Sequence, residues 1–176
     1  MRFLSTPLQD VFLIDLEPIS DDRGFFSRFF CLDEFQKKGL EHHFAQGNVS
    51  FSKEKGTLRG LHYQLPPSEE VKLVRCTQGS FYDVVLDLRK NSSTYGRSFG
   101  ETLSAENRRM MYVPKGCAHG FLTLEEKTEV SYLVSSPYSK ELERGVRWDD
   151  PAFEIAWPFP PKVLSDRDRN HLDFIP

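Results

Sequence analysis

Apolar and polar residues alternate over short stretches of this chain, and clusters of turn residues separate the stretches. Val11–Leu16, Phe25–Phe30 and Phe44–Ser52 read as the first strands. The pattern repeats at Leu58–Gln64, Lys72–Thr77, Ser80–Leu88, Phe99–Leu103, Arg109–Val113, Gly120–Thr123 and Glu129–Ser135. Pro66–Pro67, Gln78–Gly79, Asn91–Ser93 and Pro114–Gly116 supply breaks between them. Leu32–Gly39 carries the best helix signals: Asp33 as a cap, the basic pair Lys37–Lys38 near the end and Gly39 as the stop. Ser165–Asp166–Arg167–Asp168 is a second, shorter helix start. This succession of short strands predicts a sandwich or jelly-roll barrel, one domain over residues 1–176. No βα repeat with a glycine-rich phosphate loop is present, which argues against a doubly wound sheet.

Leu58–Gln64 gives the first chemical hint. Its alternation puts Leu58, Gly60, His62 and Gln64 on one face and Arg59, Leu61 and Tyr63 on the other. An imidazole on an inward face costs solvation energy unless it is paired, so a polar lumen usually marks a ligand. A bulge near Gly60 would bring Arg59 into the same space.

Composition narrows the function classes. Apolar residues make up 39% and charged residues 28%, the balance of an ordinary globular domain. The 15 phenylalanines, beside scarce alanine, favour strands over a helical bundle. A net charge of -3 gives no general attraction to nucleic acid or a membrane surface. Cys31, Cys76 and Cys117 form neither a CxxC pair nor a disulfide framework, which points to a reducing compartment. The opening MRFLSTPLQDVF lacks the apolar core of a signal peptide, and no stretch approaches the ~20 apolar residues of a membrane span. The cytoplasm is the expected location. Cys117 beside His119 reads as a small buried thiol rather than a nucleophile.

Three segments together resemble the dTDP-4-dehydrorhamnose 3,5-epimerase family, a branch of the cupin-like jelly rolls. They are Gly56-Thr-Leu-Arg-Gly-Leu-His-Tyr-Gln64, Lys72-Leu-Val-Arg running into Asp83-Val-Val-Leu-Asp-Leu-Arg89, and Val113-Pro-Lys-Gly-Cys-Ala-His-Gly-Phe121. Smaller matches run through Arg23–Phe26, Gln46–Ser50, Tyr132, Trp148–Pro151 and Leu164–Asp168. The resemblance implies an all-β, cupin-like jelly-roll barrel with short peripheral helices. It also implies a homodimer that exchanges strands and epimerises C3 and C5 of a 4-keto-6-deoxyhexose on a nucleoside diphosphate, without cofactor or metal. Residue by residue, it suggests His62 as base, Asp168 as its orienting carboxylate, Lys72 near the C4 oxygen and Tyr132 as the acid on the opposite sugar face. Arg59 and His119 resemble diphosphate contacts, and Arg23, Gln46 and Asn48 resemble nucleotide contacts, some supplied across the dimer. Phe26 and Tyr138 resemble the aromatic walls around the nucleobase.

Two departures bear on the nucleotide. Arg28 stands where the family usually has an acidic residue, and Gln46-Gly47-Asn48 replaces its common Gln-Asp-Asn. A carboxylate accepts the N3–H of thymine or uracil, whereas arginine only donates and suits the acceptors of cytosine. A CDP-linked sugar is therefore an alternative substrate to the dTDP-linked one, with Arg28 as its contact. Arg28 turned away from the base would leave dTDP acceptable.

The chemistry explains these residue types. Protons at C3 and C5 flank the C4 ketone, and removing one creates an enolate whose charge needs stabilising, which an ammonium supplies. The ordinary imidazole pKa of about 6.5 leaves neutral base available near pH 7. Inversion then needs a proton from the opposite face, which a phenol can deliver. Rival readings remain: a barrel histidine for His62, a core aromatic for Tyr132 and an exposed Lys72. A metal-dependent cupin is disfavoured, because His42–His43, His62, His119 and His171 include no HxH word. Single-site epimerisation, keto-sugar isomerisation and non-catalytic binding of a sugar nucleotide complete the alternatives. Asp87 and Arg89 read as a buried or interfacial ion pair.

Overall fold

The structure is a computed structural model and describes residues 1–175. In chain order the strands are β1 (Arg2–Ser5), β2 (Phe12–Asp15), β3 (Ile19–Asp21), β4 (Gly24–Phe26), β5 (Gln46–Ser52), β6 (Leu58–Gln64) and β7 (Lys72–Gln78). They continue with β8 (Ser80–Asp87), β9 (Ser98–Ser104), β10 (Met110–Val113), β11 (Cys117–Thr123), β12 (Thr128–Val134) and β13 (Glu143–Gly145). Two short helices complete the set, α1 (Leu32–Lys37) and α2 (Asp166–Arg169). Strand pairing within the sheets is antiparallel, with six strands in the order β1-β2-β10-β7-β12-β5 and five in the order β13-β6-β11-β8-β9. β3 and β4 form a separate hairpin.

The period of two in the sequence explains the layers. On β8, Phe81 and Val85 face the six-stranded sheet, while Val84 and Leu86 face outward. The central core joins Phe81, Val85, Leu103 and Phe121 of one sheet to Leu13, Val74, Met111 and Val130 of the other. Phe35 of α1 covers the outer face of the larger sheet against Ile14, Leu73 and Met110. Val146 and Phe153 of the C-terminal segment cover the smaller sheet over Leu61 and Val84. Each such apolar side chain contributes about 1.5–3 kcal/mol when fully buried.

The expected jelly-roll barrel does not form. Both sheets are open: β1 and β5 end one, β13 and β9 end the other, and no strand pairing joins these edges among the described residues. Alternation specifies which face of a strand is buried, and that requirement is met equally by two facing sheets and by a closed cylinder. Closure depends on edge strands finding each other, which no residue pattern here encodes. The cap of α1 also differs. Cys31 is its N-cap residue without a side-chain bond, and Asp33 lies within the first turn. β1, β3 and β13 are too short to have stood out in the sequence.

Candidate active site

The site is built where polar residues occupy inward positions at one end of the sandwich. β6 and β11 pair with His119 opposite His62 and Phe121 opposite Arg59, so β6 holds one residue more between the two pairs. That extra residue is a bulge at Gly60–Leu61. In a regular strand Arg59 and His62 would face opposite ways, yet both line one cavity. The bulge needs glycine on each strand. Gly60 has φ +109°, and a Cβ there would lie 2.6 Å from Gly120 Cα. A Cβ on Gly120 would lie 2.8 Å from the Arg59 carbonyl oxygen.

The cavity, of about 570 Å³, takes His62, Arg59 and His119 from the smaller sheet, Lys72 and Tyr132 from the larger one, and Asp168 from α2. Ser165 caps α2 by accepting the Asp168 N–H at 3.0 Å, which presents the Asp168 carboxylate to β6. Its Oδ1 lies 2.6 Å from His62 Nε2, and its Oδ2 accepts the Gly60 N–H at 3.4 Å. Burial pushes the Asp168 carboxyl up, but the bonds from His62 and Gly60 outweigh it and hold it below the usual carboxylate range.

Lys72 Nζ donates to the His62 carbonyl oxygen at 3.2 Å and sits 3.1 Å from Glu70 Oε1. Burial first, and then the charge of Glu70, push the Tyr132 phenol above its ordinary value, so it stays protonated at neutral pH. His119 Nε2 meets Asp83 Oδ1 at 2.7 Å. Asp83 is wholly buried and raised by that burial, while the neighbouring His119 pulls it back. Arg59 is steadied by Nε to the Ser52 hydroxyl at 3.3 Å and by a terminal nitrogen to the Phe51 carbonyl at 3.1 Å.

A smaller cavity of about 180 Å³ shares His62, Lys72 and Tyr132 and adds Gln46, Asn48 and Tyr138. Gln46 Oε1 accepts the Tyr138 backbone N–H at 2.6 Å, and the Tyr138 hydroxyl donates to Glu143 at 2.7 Å. Arg23, Phe26 and Arg28 line neither cavity. Arg23 and Phe26 lie on the exposed β3–β4 hairpin, and Arg28 pairs with Glu34 at 3.5 Å.

Sequence reasoning missed Glu70, Asp83 and Glu143. Asp83 had a readable signal, since it alternates with Phe81 and Val85 on the inward face of β8. Glu70 and Glu143 come from a loop and a short edge strand, where no periodicity marks them. Among the described residues, His62, Asp168 and His171 form a group with metal-ligand spacing, their ligand atoms within 4.8 Å of one another. Cys117 is buried and its thiol is pushed up to about 12, as suits an inert side chain. Asp87 and Arg89 form the expected ion pair at 2.9 Å.

The model of the dTDP-4-dehydrorhamnose 3,5-epimerase family matches residues 5–175. The chain belongs to that family. It is 46% identical over 169 residues to the dTDP-4-dehydrorhamnose 3,5-epimerase of Sinorhizobium fredii, covering 96% of this chain and 87% of the relative. A crystal structure of the Bacillus anthracis dTDP-4-dehydrorhamnose 3,5-epimerase, with TDP and PPi bound, superposes with a TM-score of 0.94. The two share 42% identity, with 98% of this chain and 99% of that chain covered. The family also reaches single-site enzymes. A dTDP-4-dehydrorhamnose 3-epimerase of Streptomyces niveus is 36% identical over 173 residues, 98% of this chain and 83% of its own.

Proposed function

We propose that this chain epimerises a dTDP-linked 4-keto-6-deoxyhexose at C3 and C5, converting dTDP-4-dehydro-6-deoxyglucose to dTDP-4-dehydrorhamnose through an enolate. One observation carries the reading: His62 enters the cavity from one sheet while Lys72 and Tyr132 enter it from the other. With Nε2–H bonded to Asp168, His62 Nδ1 holds the lone pair that takes the proton beside the ketone. Lys72 Nζ stabilises the oxygen of the resulting enolate; a donor of this kind is worth about 10²–10³-fold in rate. Tyr132, kept protonated, returns a proton from the opposite face. Arg59 and His119 hold the diphosphate, and Gln46, Asn48 and Tyr138 stand on the nucleotide side.

Arg28 pairs with Glu34 at 3.5 Å, in keeping with the reading in which it turns away from the base, and this favours the dTDP-linked substrate over a CDP-linked one. A homodimer belongs to the same proposal. Ile19 and Phe26 of the hairpin and Val49 of the edge strand β5 are 73%, 68% and 67% exposed, an apolar surface suited to a second copy that would receive Arg23 and Phe26. Sedimentation as a monomer would overturn that part. The cytoplasm is the proposed location.

Proton NMR in deuterated water with dTDP-4-dehydro-6-deoxyglucose tests the reaction. Deuterium is expected at both C3 and C5. Exchange at C3 alone supports the second reading, a 3-epimerase, which the Streptomyces niveus relative favours. Exchange at neither carbon rejects both.

A further inference from the structure

A lysine that must meet one ketone oxygen has a difficulty of its own chemistry. Its ammonium rotates freely on a flexible stem and offers three equivalent donors. In this chain two polar groups restrain it, the His62 carbonyl oxygen at 3.2 Å and Glu70 Oε1 at 3.1 Å. The Lys72 and Glu70 side chains are only 10% and 12% exposed, so water competes weakly for these contacts. One N–H is hydrogen-bonded and the ion pair with Glu70 restrains the ammonium further, which narrows the directions left for a substrate oxygen.

Glu70 is itself held. Its second oxygen, Oε2, accepts from Gln64 Nε2 at 2.8 Å. Gln64 is 3% exposed, its amide nitrogen also reaches the Ser68 and Pro137 carbonyls, and its oxygen accepts the Ser139 N–H at 2.6 Å. Gln64 lies on β6 two residues after His62. One strand thus supports the base and, through Gln64 and Glu70, the ammonium as well.

We infer that Glu70 is a positioning residue for epimerisation, fixing the direction in which Lys72 presents its free N–H to the C4 oxygen. The inference rests on the role given to Lys72 above. A preorganised donor needs no reorganisation as negative charge develops, so Glu70 acts on enolate formation while leaving the diphosphate contacts untouched.

The test compares Glu70→Ala, Glu70→Gln and Lys72→Met with the parent, using the dTDP-linked substrate in deuterated water. For Glu70→Ala we expect kcat to fall about 10–100-fold with KM within about threefold, since a misplaced donor weakens the transition state alone. Deuterium entry at C3 and C5 should fall by the same factor. Glu70→Gln keeps one acceptor oxygen but sets its amide nitrogen against Gln64 Nε2 or Lys72 Nζ, so its kcat should lie between those of Glu70→Ala and the parent. Glu70→Leu fills the same volume without an acceptor and replaces the alanine variant should that one not fold. The inference is overturned if folded Glu70→Ala or Glu70→Leu keeps parental kcat, or if only KM changes. Lys72→Met separates the two levels: a slow Lys72→Met beside a normal Glu70→Ala sinks this inference alone, and a fast Lys72→Met sinks the role of Lys72 itself.

Discussion

Replacing Asp168 by asparagine removes one oxygen and adds one nitrogen, and the structure says why that small change should be severe. Asp168 is 4% exposed, and its carboxylate faces two donors at once, His62 Nε2–H at 2.6 Å and the Gly60 N–H at 3.4 Å. An amide has a single oxygen. If that oxygen stays on His62, the amide nitrogen opposes the Gly60 N–H, and a buried donor left without a partner costs about 1–3 kcal/mol. If it turns to Gly60, the amide nitrogen donates to His62 Nε2. The ring proton then moves to Nδ1, the atom that must be empty to act as base. The second arrangement satisfies more hydrogen bonds and should prevail. Loss of the base is worth about 10²–10⁴-fold, so Asp168→Asn should lower kcat by that factor. Arg59 and His119 keep their places, and KM should stay within about threefold. Initial deuterium incorporation followed by NMR measures the effect directly, and circular dichroism checks the fold. A folded Asp168→Asn enzyme with parental exchange rates would refute the assignment of the base and its tautomer.

Three further outcomes are expected. Tyr132→Phe should retain deuterium exchange while losing most inversion, because the phenol acts after the enolate forms; equal loss of both would remove its role as the opposite-face acid. Gly60→Ala should destabilise the fold by about 2–5 kcal/mol in urea titrations, since φ +109° strains any side chain and its Cβ would collide with Gly120. In acid, Asp168 has a folded pKa held below its usual 3.8, so its contribution is complete above that value and vanishes as pH falls through the lower folded one. Urea midpoints at about pH 6 and about pH 3 should therefore drop less in Asp168→Asn than in the parent, and an equal drop would contradict the sign.

What the sequence made legible follows from how local each signal is. Strands with strong alternation were readable: Leu58–Gln64 has the observed bounds of β6, and β7, β8 and β12 deviate only at their ends. Inward polar residues could be listed too, because His62 and His119 stand on apolar-faced strands. The partners of those residues were harder to see. Asp83 reaches His119 from the neighbouring strand, far away in the chain, and Glu70, though only two residues before Lys72, lies in a loop outside the alternating pattern. The distinction between an open sandwich and a closed barrel was invisible for the same reason. It depends on what the edges β1, β5, β9 and β13 meet, and the buried pattern of each strand is the same in either case.

The way the two sheets face each other also bears on the reaction. Inversion requires the departing and arriving protons to use opposite faces of one ring, so the two groups must come from walls that stand apart. A single strand cannot provide this, because residues two apart share a face and those one apart point into different compartments. Two facing sheets provide it directly, with His62 on one wall and Tyr132 on the other. The bulge at Gly60 then solves a second problem, since it lets β6 bring both Arg59 and His62 to the same cavity. Straightening that bulge would turn one of the two away. On the roles proposed for Arg59 and His62, phosphate recognition and proton abstraction are tied to one local distortion, and substitutions at Gly60 or Gly120 should impair both together even though neither glycine has a side chain to touch the substrate.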